Sequence, residues 1–322
     1  MRLIVKFCQT CNDTIMSIKT VLIAGAGAVG LIVAETIYTS EPDSVSILAK
    51  GERLERYRKN GLRVNGKKLD FRLSHGEHAD LIIVACKFHH LDQIIEDIRP
   101  SVGKDTIIIS LLNGISSEEI IGRKLGQQRL PLAMVLGTDA FHANEETTYT
   151  QQGVIYFGDA DGRNGEREQR IIEFFKRTGV PFSLEDNMKR KLWFKYMFNV
   201  GANQVTAILR LPYGRIMNKG GPEEIPEARS LFEKAMREVI TIANAEGIDL
   251  NDTDIENLYN KTINNLSPSG FTSMCQDVLA GRKTELEMFS LTMMELAKKH
   301  TIPVPVNEIL YLQLKTIEAA AG

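Results

Sequence analysis

The chain has 322 residues, of which 43% are hydrophobic and 25% are charged, and its formal net charge is −2. This length predicts about two domains with real hydrophobic cores. The near-neutral charge gives no reason to expect binding to nucleic acid or to a membrane surface. The longest uncharged apolar run, at residues 21–34, is too short for a membrane-spanning helix, which needs about 20 residues. The N-terminal apolar patch is too short for a signal peptide, and we expect a cytoplasmic protein.

Short apolar strands alternate with helices in the first half of the chain, which indicates a parallel α/β sheet. The pattern predicts a strand, a helix, two strands, a helix and a strand, at residues 19–24, 31–38, 45–49, 81–86, 91–98 and 106–112. A β-hairpin is predicted inside this series, because Asn65-Gly66 separates apolar runs at 62–64 and 69–73.

The pattern changes in the second half of the chain. A strand at residues 131–138 and an alternating strand at 147–158, predicted to be antiparallel, precede a helix at 166–177. After about Asp186 the hydrophobic periodicity is almost entirely helical. Five helices are predicted there, at residues 188–209, 225–246, 253–265, 281–300 and 306–320.

These two patterns predict the domain organisation. An α/β domain is expected at residues 18–186 and an all-α domain at residues 187–322, with the boundary near Asp186. Residues 1–17 are predicted to be an N-terminal extension without stable structure, because chain termini that are not tied down are usually disordered.

Cysteine and histidine residues do not form a recognisable metal site. Cys8 and Cys11 have the Cys-x-x-Cys spacing, but no second ligand pair accompanies them and they precede the first good strand. His89 and His90 are adjacent, so they point to different faces, and no carboxylate stands at metal-site spacing from them. We expect no metal, and we interpret the two cysteines as reduced thiols.

A glycine-rich segment after the first strand fits the pattern Gly-x-Gly-x-x-Gly. It consists of Gly25, Ala26, Gly27, Ala28, Val29 and Gly30. In a dinucleotide-binding turn the first glycine allows the tight turn, the second lets the backbone approach a pyrophosphate, and the third lets helix and strand pack closely. The position between a strand and a helix favours this Rossmann-type function over the alternative, a purely structural glycine turn.

The end of the second strand indicates which dinucleotide binds. NAD-selective sites usually carry an acidic residue there, which binds the ribose 2′-hydroxyl. This chain has Lys50, with Arg53 three residues later, and two cations suit a 2′-phosphate. We therefore predict NADP(H) as the cofactor. The alternative is that both are solvated surface charges, and Glu52 lies between them.

A lysine and two asparagines lie on one face of the predicted helix 188–209. Lys195, Asn199 and Asn203 are spaced i, i+4 and i+8 among aromatic and aliphatic neighbours. Such a stripe can line a polar cleft facing a cofactor, or it can be a polar solvent face. Asparagine is a poor helix former and gains nothing at this spacing on a surface, which favours the cleft.

From residue 18 to its C-terminus the chain resembles the ketopantoate reductases, also called 2-dehydropantoate 2-reductases. The matching motifs occur in the family's order: the glycine loop, Lys87, Asn113-Gly114, Lys195 with Asn199 and Asn203, and residues 273–278 leading to Thr284-Glu285. The sequence departs from the family pattern at Lys50, where arginine is common, and at Leu112 and His90, where glutamine is expected.

The resemblance implies a Rossmann-type domain followed by an all-α domain like the C-terminal domain of 6-phosphogluconate dehydrogenase. It also implies the roles of the site residues. Lys195 would be the general acid, with Glu285 as its partner at the substrate. Asn199, Asn203 and Ser273 would bind the substrate. Lys87 and Asn113 would lie between the nicotinamide end of the cofactor and the substrate.

The predicted reaction is the NADPH-dependent reduction of 2-dehydropantoate (ketopantoate) to pantoate. Hydride delivery to a ketone leaves negative charge on its oxygen, which a nearby ammonium such as that of Lys195 can stabilise and then protonate. The partner is accordingly a small 2-oxo acid, and a homodimer is one option for the assembly. Three alternatives stay open: a family member acting on another 2-oxo acid, a non-catalytic NADP(H)-binding sensor, and another two-domain dehydrogenase.

Overall fold

The computed structural model describes residues 16–218, 220–261, 263 and 266–321. Residues 1–15, which make up most of the predicted N-terminal extension, lie outside the described residues. Met16 is tied to the body of the protein, because its carbonyl oxygen accepts a hydrogen bond from Arg170 Nε at 2.7 Å. Ile18 follows and is buried in the hydrophobic core.

The strands of the described residues form two sheets. They are β1 (Val21–Ala24), β2 (Val45–Leu48), β3 (Leu62–Val64), β4 (Lys67–Leu69), β5 (Arg72–Ser74), β6 (Ala79–Val84), β7 (Val102–Ser110), β8 (Leu132–Ala143), β9 (Glu146–Gly158) and β10 (Phe182–Leu184). The first sheet has the order β5-β2-β1-β6-β7, and every pair in it is parallel. The predicted parallel α/β sheet is confirmed.

Among the described residues, helices alternate with the strands as far as β10, and only helices follow from there. They are α1 (Ala28–Ser40), α2 (Gly51–Asn60), α3 (Leu91–Ile98), α4 (Ser117–Leu125), α5 (Glu166–Thr178), α6 (Met188–Leu209), α7 (Tyr213–Ile216), α8 (Pro226–Ala245), α9 (Asp252–Lys261), α10 (Ser273–Leu279), α11 (Thr292–His300) and α12 (Pro305–Ala321). From α6 onward the described residues contain helices and turns only, which confirms the all-α C-terminal part. Within the described residues, no helix combines the length and apolar character needed to cross a membrane.

The second sheet is built around the long hairpin of β8 and β9. Its order is β10-β9-β3-β4, and β8 pairs with β9 in antiparallel register from Leu132↔Gly158 to Ala143↔Glu146. The antiparallel prediction for residues 147–158 is correct. The strand predicted at 131–138 is longer than expected, because cross-strand pairing continues beyond the apolar part of the sequence.

The predicted hairpin at Asn65-Gly66 is present, but the apolar run after it is not one strand. Asn65 and Gly66 have φ of 46° and 79°, as a tight two-residue turn requires, and they join β3 to β4. The prediction of a single strand at 69–73 is wrong. β4 ends at Leu69 in the second sheet, whereas β5 pairs in parallel with β2 in the first sheet. Alternating hydrophobicity does not reveal such a change of sheet.

One predicted helix begins too early. Residues 281–285 are not helical, and Gly281 has φ +63°. A π-helical stretch, Glu287–Leu291, then leads into α11. This non-helical segment matters for the site, because it contains Glu285.

Helix α6 matches the prediction for residues 188–209 and forms the centre of the helical core with α8. A side chain at Gly201 would place its Cβ 2.8 Å from Phe232 Cδ2 and 2.9 Å from Met236 Cγ. Glycine therefore allows the two helices to approach closely. We propose the domain boundary near Asp186, between the end of β10 and the start of α6.

Candidate active site

The loop between β1 and α1 has the conformation that a pyrophosphate-binding turn requires. Gly25 has φ +123°, and a Cβ there would lie 2.5 Å from the carbonyl oxygen of Ala85. A Cβ at Gly30 would collide with the carbonyl oxygen of Gly25. Gly27 precedes α1, and a Cβ there would meet no atom within 4 Å. The backbone at the start of α1 is thus open to a ligand that needs free N–H donors.

A cavity of about 420 Å³ lies against this loop. It is lined by the glycine loop, by α2, by the turns after β6 and β7, and by residues at and beyond α10. The predicted site residues that line it are Gly25, Ala26, Gly27, Ala28, Val29, Arg53, Lys87, Asn113, Ser273 and Glu285. The fold therefore brings the predicted phosphate loop and part of the predicted substrate site into one cavity.

Lys50 does not line this cavity. It contributes to an adjoining cavity of about 600 Å³ at the end of β2, which also contains Arg53 and Gln93. There the Lys50 ammonium donates to the carbonyl oxygen of Asp97 at 3.0 Å and lies 3.5 Å from Asp97 Oδ1. Lys50 is thus already engaged by a carboxylate, whereas Arg53 lines both cavities and forms no ion pair with the described residues.

Arg56 is a cavity residue that sequence reasoning missed. It lies one helical turn after Arg53 on α2 and lines both cavities. Its Nε atom is 2.5 Å from Glu145 Oε1 in the β8–β9 turn. The spacing of Arg53 and Arg56 would indicate one shared helix face, since residues three apart on a helix are neighbours. The sequence pattern does not predict helix α2, however, because only Tyr57 of its ten residues is buried.

The buried ammonium of Lys195 is hydrogen-bonded to two acceptors from the N-terminal part of the chain. Its Nζ donates to Asn113 Oδ1 at 3.0 Å and to the carbonyl oxygen of Val135 at 3.0 Å. Burial lowers the pKa of its ammonium from 10.5 to about 8, and the charges of Glu285 and Glu118 oppose that shift. The amine is therefore still mostly protonated at pH 7 and is poised to release a proton near neutral pH.

The two asparagines of the stripe are buried, which excludes the solvent-face interpretation. Asn199 is 8% exposed and Asn203 is 6% exposed. Asn203 Oδ1 accepts hydrogen bonds from Ser273 Oγ at 3.5 Å and from the Met274 backbone N–H at 3.4 Å. Lys195, Asn199 and Asn203 do not line this cavity themselves; Lys195 is hydrogen-bonded to Asn113 and Asn203 to Ser273, and both of these partners line it.

Glu285, which is predicted to be the partner of Lys195 at the substrate, contacts the β6–α3 turn. Glu285 Oε1 accepts from the Phe88 backbone N–H at 3.2 Å, and Oε2 lies 3.8 Å from Lys87 Nζ. Lys87 Nζ also donates to Asp277 Oδ2 at 2.9 Å. Glu285 can reach this turn because residues 281–285 are not helical. Its effect on Lys195 is an electrostatic one, which raises the lysine pKa.

Two further groups at the cavity are neutral near pH 7. Burial raises the pKa of the Cys86 thiol to about 12, which leaves no reactive thiolate. Burial, with the nearby His89 and Arg53, lowers the pKa of His90 below its usual 6.5. Within the described part of the chain, no group of three or more potential metal ligands is found.

The chain was compared with known proteins. The sequence profile described as "Ketopantoate reductase PanE/ApbA" matches residues 21–162, and the profile "Ketopantoate reductase PanE/ApbA C terminal" matches residues 187–318. The chain belongs to the ketopantoate reductase family. It is therefore an oxidoreductase of that family, with a Rossmann-type fold in its N-terminal part.

Individual relatives of this ketopantoate reductase family member carry different names. A 2-dehydropantoate 2-reductase of Archaeoglobus fulgidus is 26% identical over 94% of this chain and 99% of the relative. An uncharacterised oxidoreductase of Bacillus subtilis, YkpB, is 25% identical over 92% of this chain and 98% of the relative. The solved structure of a D-mandelate dehydrogenase with NADH and anilino(oxo)acetate is 20% identical, with a TM-score of 0.83 over 94% of this chain and 99% of that one. That last likeness concerns the fold.

Proposed function

We propose that the protein reduces a 2-oxo acid with NADPH, that 2-dehydropantoate is its substrate, and that Lys195 is the proton donor. The observation that carries the proposal is the environment of the buried Lys195 ammonium. A buried ammonium with a pKa of about 8 is hydrogen-bonded to Asn113, and Asn113 lines the cavity of the glycine loop. A protein that only senses a dinucleotide has no need of a buried proton donor, so the buried ammonium of Lys195 favours the enzyme over the sensor.

Two features of the cavity support the proposal that it binds a phosphorylated dinucleotide. The pyrophosphate would lie over Gly27, where the backbone is open, and the N-terminus of α1 would supply N–H donors. The 2′-phosphate would lie at the junction of the two cavities, where Arg53 has no ion-pair partner among the described residues and Arg56, which is paired with Glu145, lies one helical turn away. Bound there, the nicotinamide supplies the hydride, and the residues of the chain orient the oxo acid and manage its proton.

Lys195 would act on the carbonyl oxygen of the substrate. As the carbonyl carbon receives a hydride, its oxygen becomes negative, and the ammonium of Lys195 stabilises that charge before transferring a proton to it. The product is a 2-hydroxy acid, and the lysine is left neutral until it regains a proton from solvent. Its lowered pKa suits this transfer, and Asn113 and Val135 keep the amine oriented.

The substrate carboxylate and hydroxyl would be bound by residues of the helical part. Ser273 lines the cavity and offers a hydroxyl, and the amide of Asn203 lies behind it, so neither adds net charge; Asn199 lies one turn away on the same face of α6. Glu285 lines the cavity and would accept a hydrogen bond from the terminal hydroxyl of 2-dehydropantoate. That hydroxyl distinguishes this substrate from 2-ketoisovalerate and pyruvate, which offer Glu285 no additional hydrogen-bond donor.

The proposal is tested by NADPH oxidation measured in parallel with ketopantoate, 2-ketoisovalerate, pyruvate and acetoacetate. Lys195→Ala should lower kcat by roughly 10²–10⁴-fold while NADPH affinity stays largely intact. Lys189→Ala, an exposed lysine in the first turn of the same helix, is the matched control and should retain wild-type kcat. A Lys195→Ala variant that keeps most of its turnover would remove this residue from the mechanism.

A further inference from the structure

Glu118 is a buried carboxyl group that the proposed mechanism does not use. It lies in the first turn of α4 and is 3% exposed, and burial raises its pKa. Both oxygens have partners, as a buried carboxyl group requires. Oε1 accepts from the Ala133 backbone N–H at 3.2 Å, and Oε2 accepts from Ser117 Oγ at 2.8 Å. Ser117 is in turn hydrogen-bonded to Ser110 at 2.8 Å.

The hydrogen bond to Ala133 places Glu118 on the same strand edge as Lys195. Lys195 Nζ donates to the carbonyl oxygen of Val135, two residues further along β8. Backbone groups of residues i and i+2 point to the same edge of a strand, and two residues span about 7 Å. The opposite edge of β8 is occupied by β9. The free edge of β8 is therefore contacted by a carboxyl group from the α/β part and by an ammonium from the helical part.

The other acceptor of the lysine is connected to Glu118 through the chain. Asn113, whose Oδ1 accepts from Lys195, lies in the short turn between β7 and α4, and Glu118 follows five residues later in the sequence. Anchoring the start of α4 to Ala133 thus fixes this turn relative to β8. The hydrogen bond of Glu118 to Ala133 therefore links the strand that carries the Val135 carbonyl to the helix that follows Asn113.

We infer that Glu118 is a positioning residue for Lys195, which holds the β7–α4 turn against the edge of β8 so that both acceptors meet the lysine ammonium. This rests on the proposed role of Lys195 as proton donor. The charged groups that act on Lys195 are Glu285 and Glu118 itself. Burial opposes ionisation of Glu118, so its charge is not the basis of the proposed role. The hydrogen bond that it accepts from Ala133 can form whether the carboxyl group is ionised or neutral.

Two substitutions of similar size separate this role from simple space-filling. Glu118→Met fills nearly the same volume but accepts no hydrogen bond, whereas Glu118→Gln keeps an acceptor for the Ala133 N–H. Glu119→Met is the matched control, because the neighbouring Glu119 is 62% exposed and pairs with Arg123 on the surface. The main readout is the titration of Lys195, followed by NMR in protein with ¹³C-labelled lysine and assigned with Lys195→Ala. The second readout is kcat.

Glu118→Met should lower the Lys195 pKa by at least about half a pH unit, because a buried ammonium that loses its acceptors favours the neutral form. It should also lower kcat by about tenfold or more. Glu118→Gln should stay within about threefold of the wild-type kcat. The inference is overturned if Glu118→Met titrates and turns over like Glu119→Met, or if Gln rescues no better than Met. The NMR titration does not depend on turnover, so failure of the proton-donor role itself would show separately, as an active Lys195→Ala variant.

Discussion

Removal of the Arg53 guanidinium is expected to weaken NADPH binding much more than NADH binding. Arg53 lines both the glycine-loop cavity and the adjoining cavity at the end of β2, and it has no ion-pair partner among the described residues. Its donors are therefore available to a 2′-phosphate without first breaking a salt bridge. Lys50, the other cation of the predicted pair, is already engaged by Asp97 at 3.0 Å and 3.5 Å.

The expected size of the effect follows from the kind of bond that is lost. A hydrogen bond to a charged group contributes about 1.5–3 kcal/mol, which corresponds to roughly 10–150-fold in affinity. Arg53→Ala should raise the Kd for NADPH by that factor and leave the Kd for NADH nearly unchanged. Lys50→Ala should change the NADPH affinity by less than about threefold, because a half-exposed lysine that is shared with a carboxylate contributes little.

The assay is fluorescence titration of each protein with NADPH and with NADH, supported by KM values for both cofactors. Salt should weaken NADPH binding more than NADH binding in the wild-type protein, since the phosphate contact is electrostatic. The reasoning is refuted if Arg53→Ala weakens both cofactors equally, or if Lys50→Ala has the larger effect. Equal use of both cofactors by the wild-type protein would remove NADPH selectivity altogether.

Three further predictions concern proton transfer, packing and selectivity. With a Lys195 pKa of about 8, kcat/KM for reduction should be flat below pH 8 and fall above it, while the reverse oxidation should rise through the same pH; a flat profile in both directions would contradict the assignment. Gly201→Ala should cost about 1–3 kcal/mol, because its Cβ would press on Phe232, and should lower Tm by several degrees in a thermal melt. Glu285→Ala should reduce the preference for ketopantoate over 2-ketoisovalerate and should lower the pH at which reduction declines; an unchanged substrate ratio would exclude Glu285 as the selective group.

The parts of the fold that the sequence predicted are those with strong local patterns. The glycine loop lies between a strand and a helix as expected, and α6 has the predicted limits because its apolar periodicity is long and uninterrupted. Helix α2 was missed for the opposite reason, since six of its ten residues are charged and only Tyr57 is buried. At residues 281–300 the apolar pattern of the π-helical stretch and α11 extends the apparent helix backwards over a segment that is not helical.

The candidate site shows the same limit more clearly. Lys195 could be selected from its spacing with two asparagines on one helix face, whereas Asn113 and Glu285 could be selected only from the resemblance to the ketopantoate reductases. The partners of these side chains could not be predicted. One acceptor of Lys195, for example, is a backbone carbonyl on β8, which carries no sequence signature. The Asp97 partner of Lys50 lies 47 residues away in the sequence. Such tertiary contacts decide which of several plausible cations is free to bind a ligand.

The most direct test of the proposed function is a comparison of kcat/KM for ketopantoate and for 2-ketoisovalerate, with NADPH and the wild-type protein. The two substrates differ in the terminal hydroxyl that Glu285 is proposed to bind. A hydrogen bond to a charged carboxylate contributes about 1.5–3 kcal/mol, which predicts a preference for ketopantoate of at least about tenfold. Equal kcat/KM values, or a preference for 2-ketoisovalerate, would contradict the substrate assignment and indicate a family member that reduces a different 2-oxo acid.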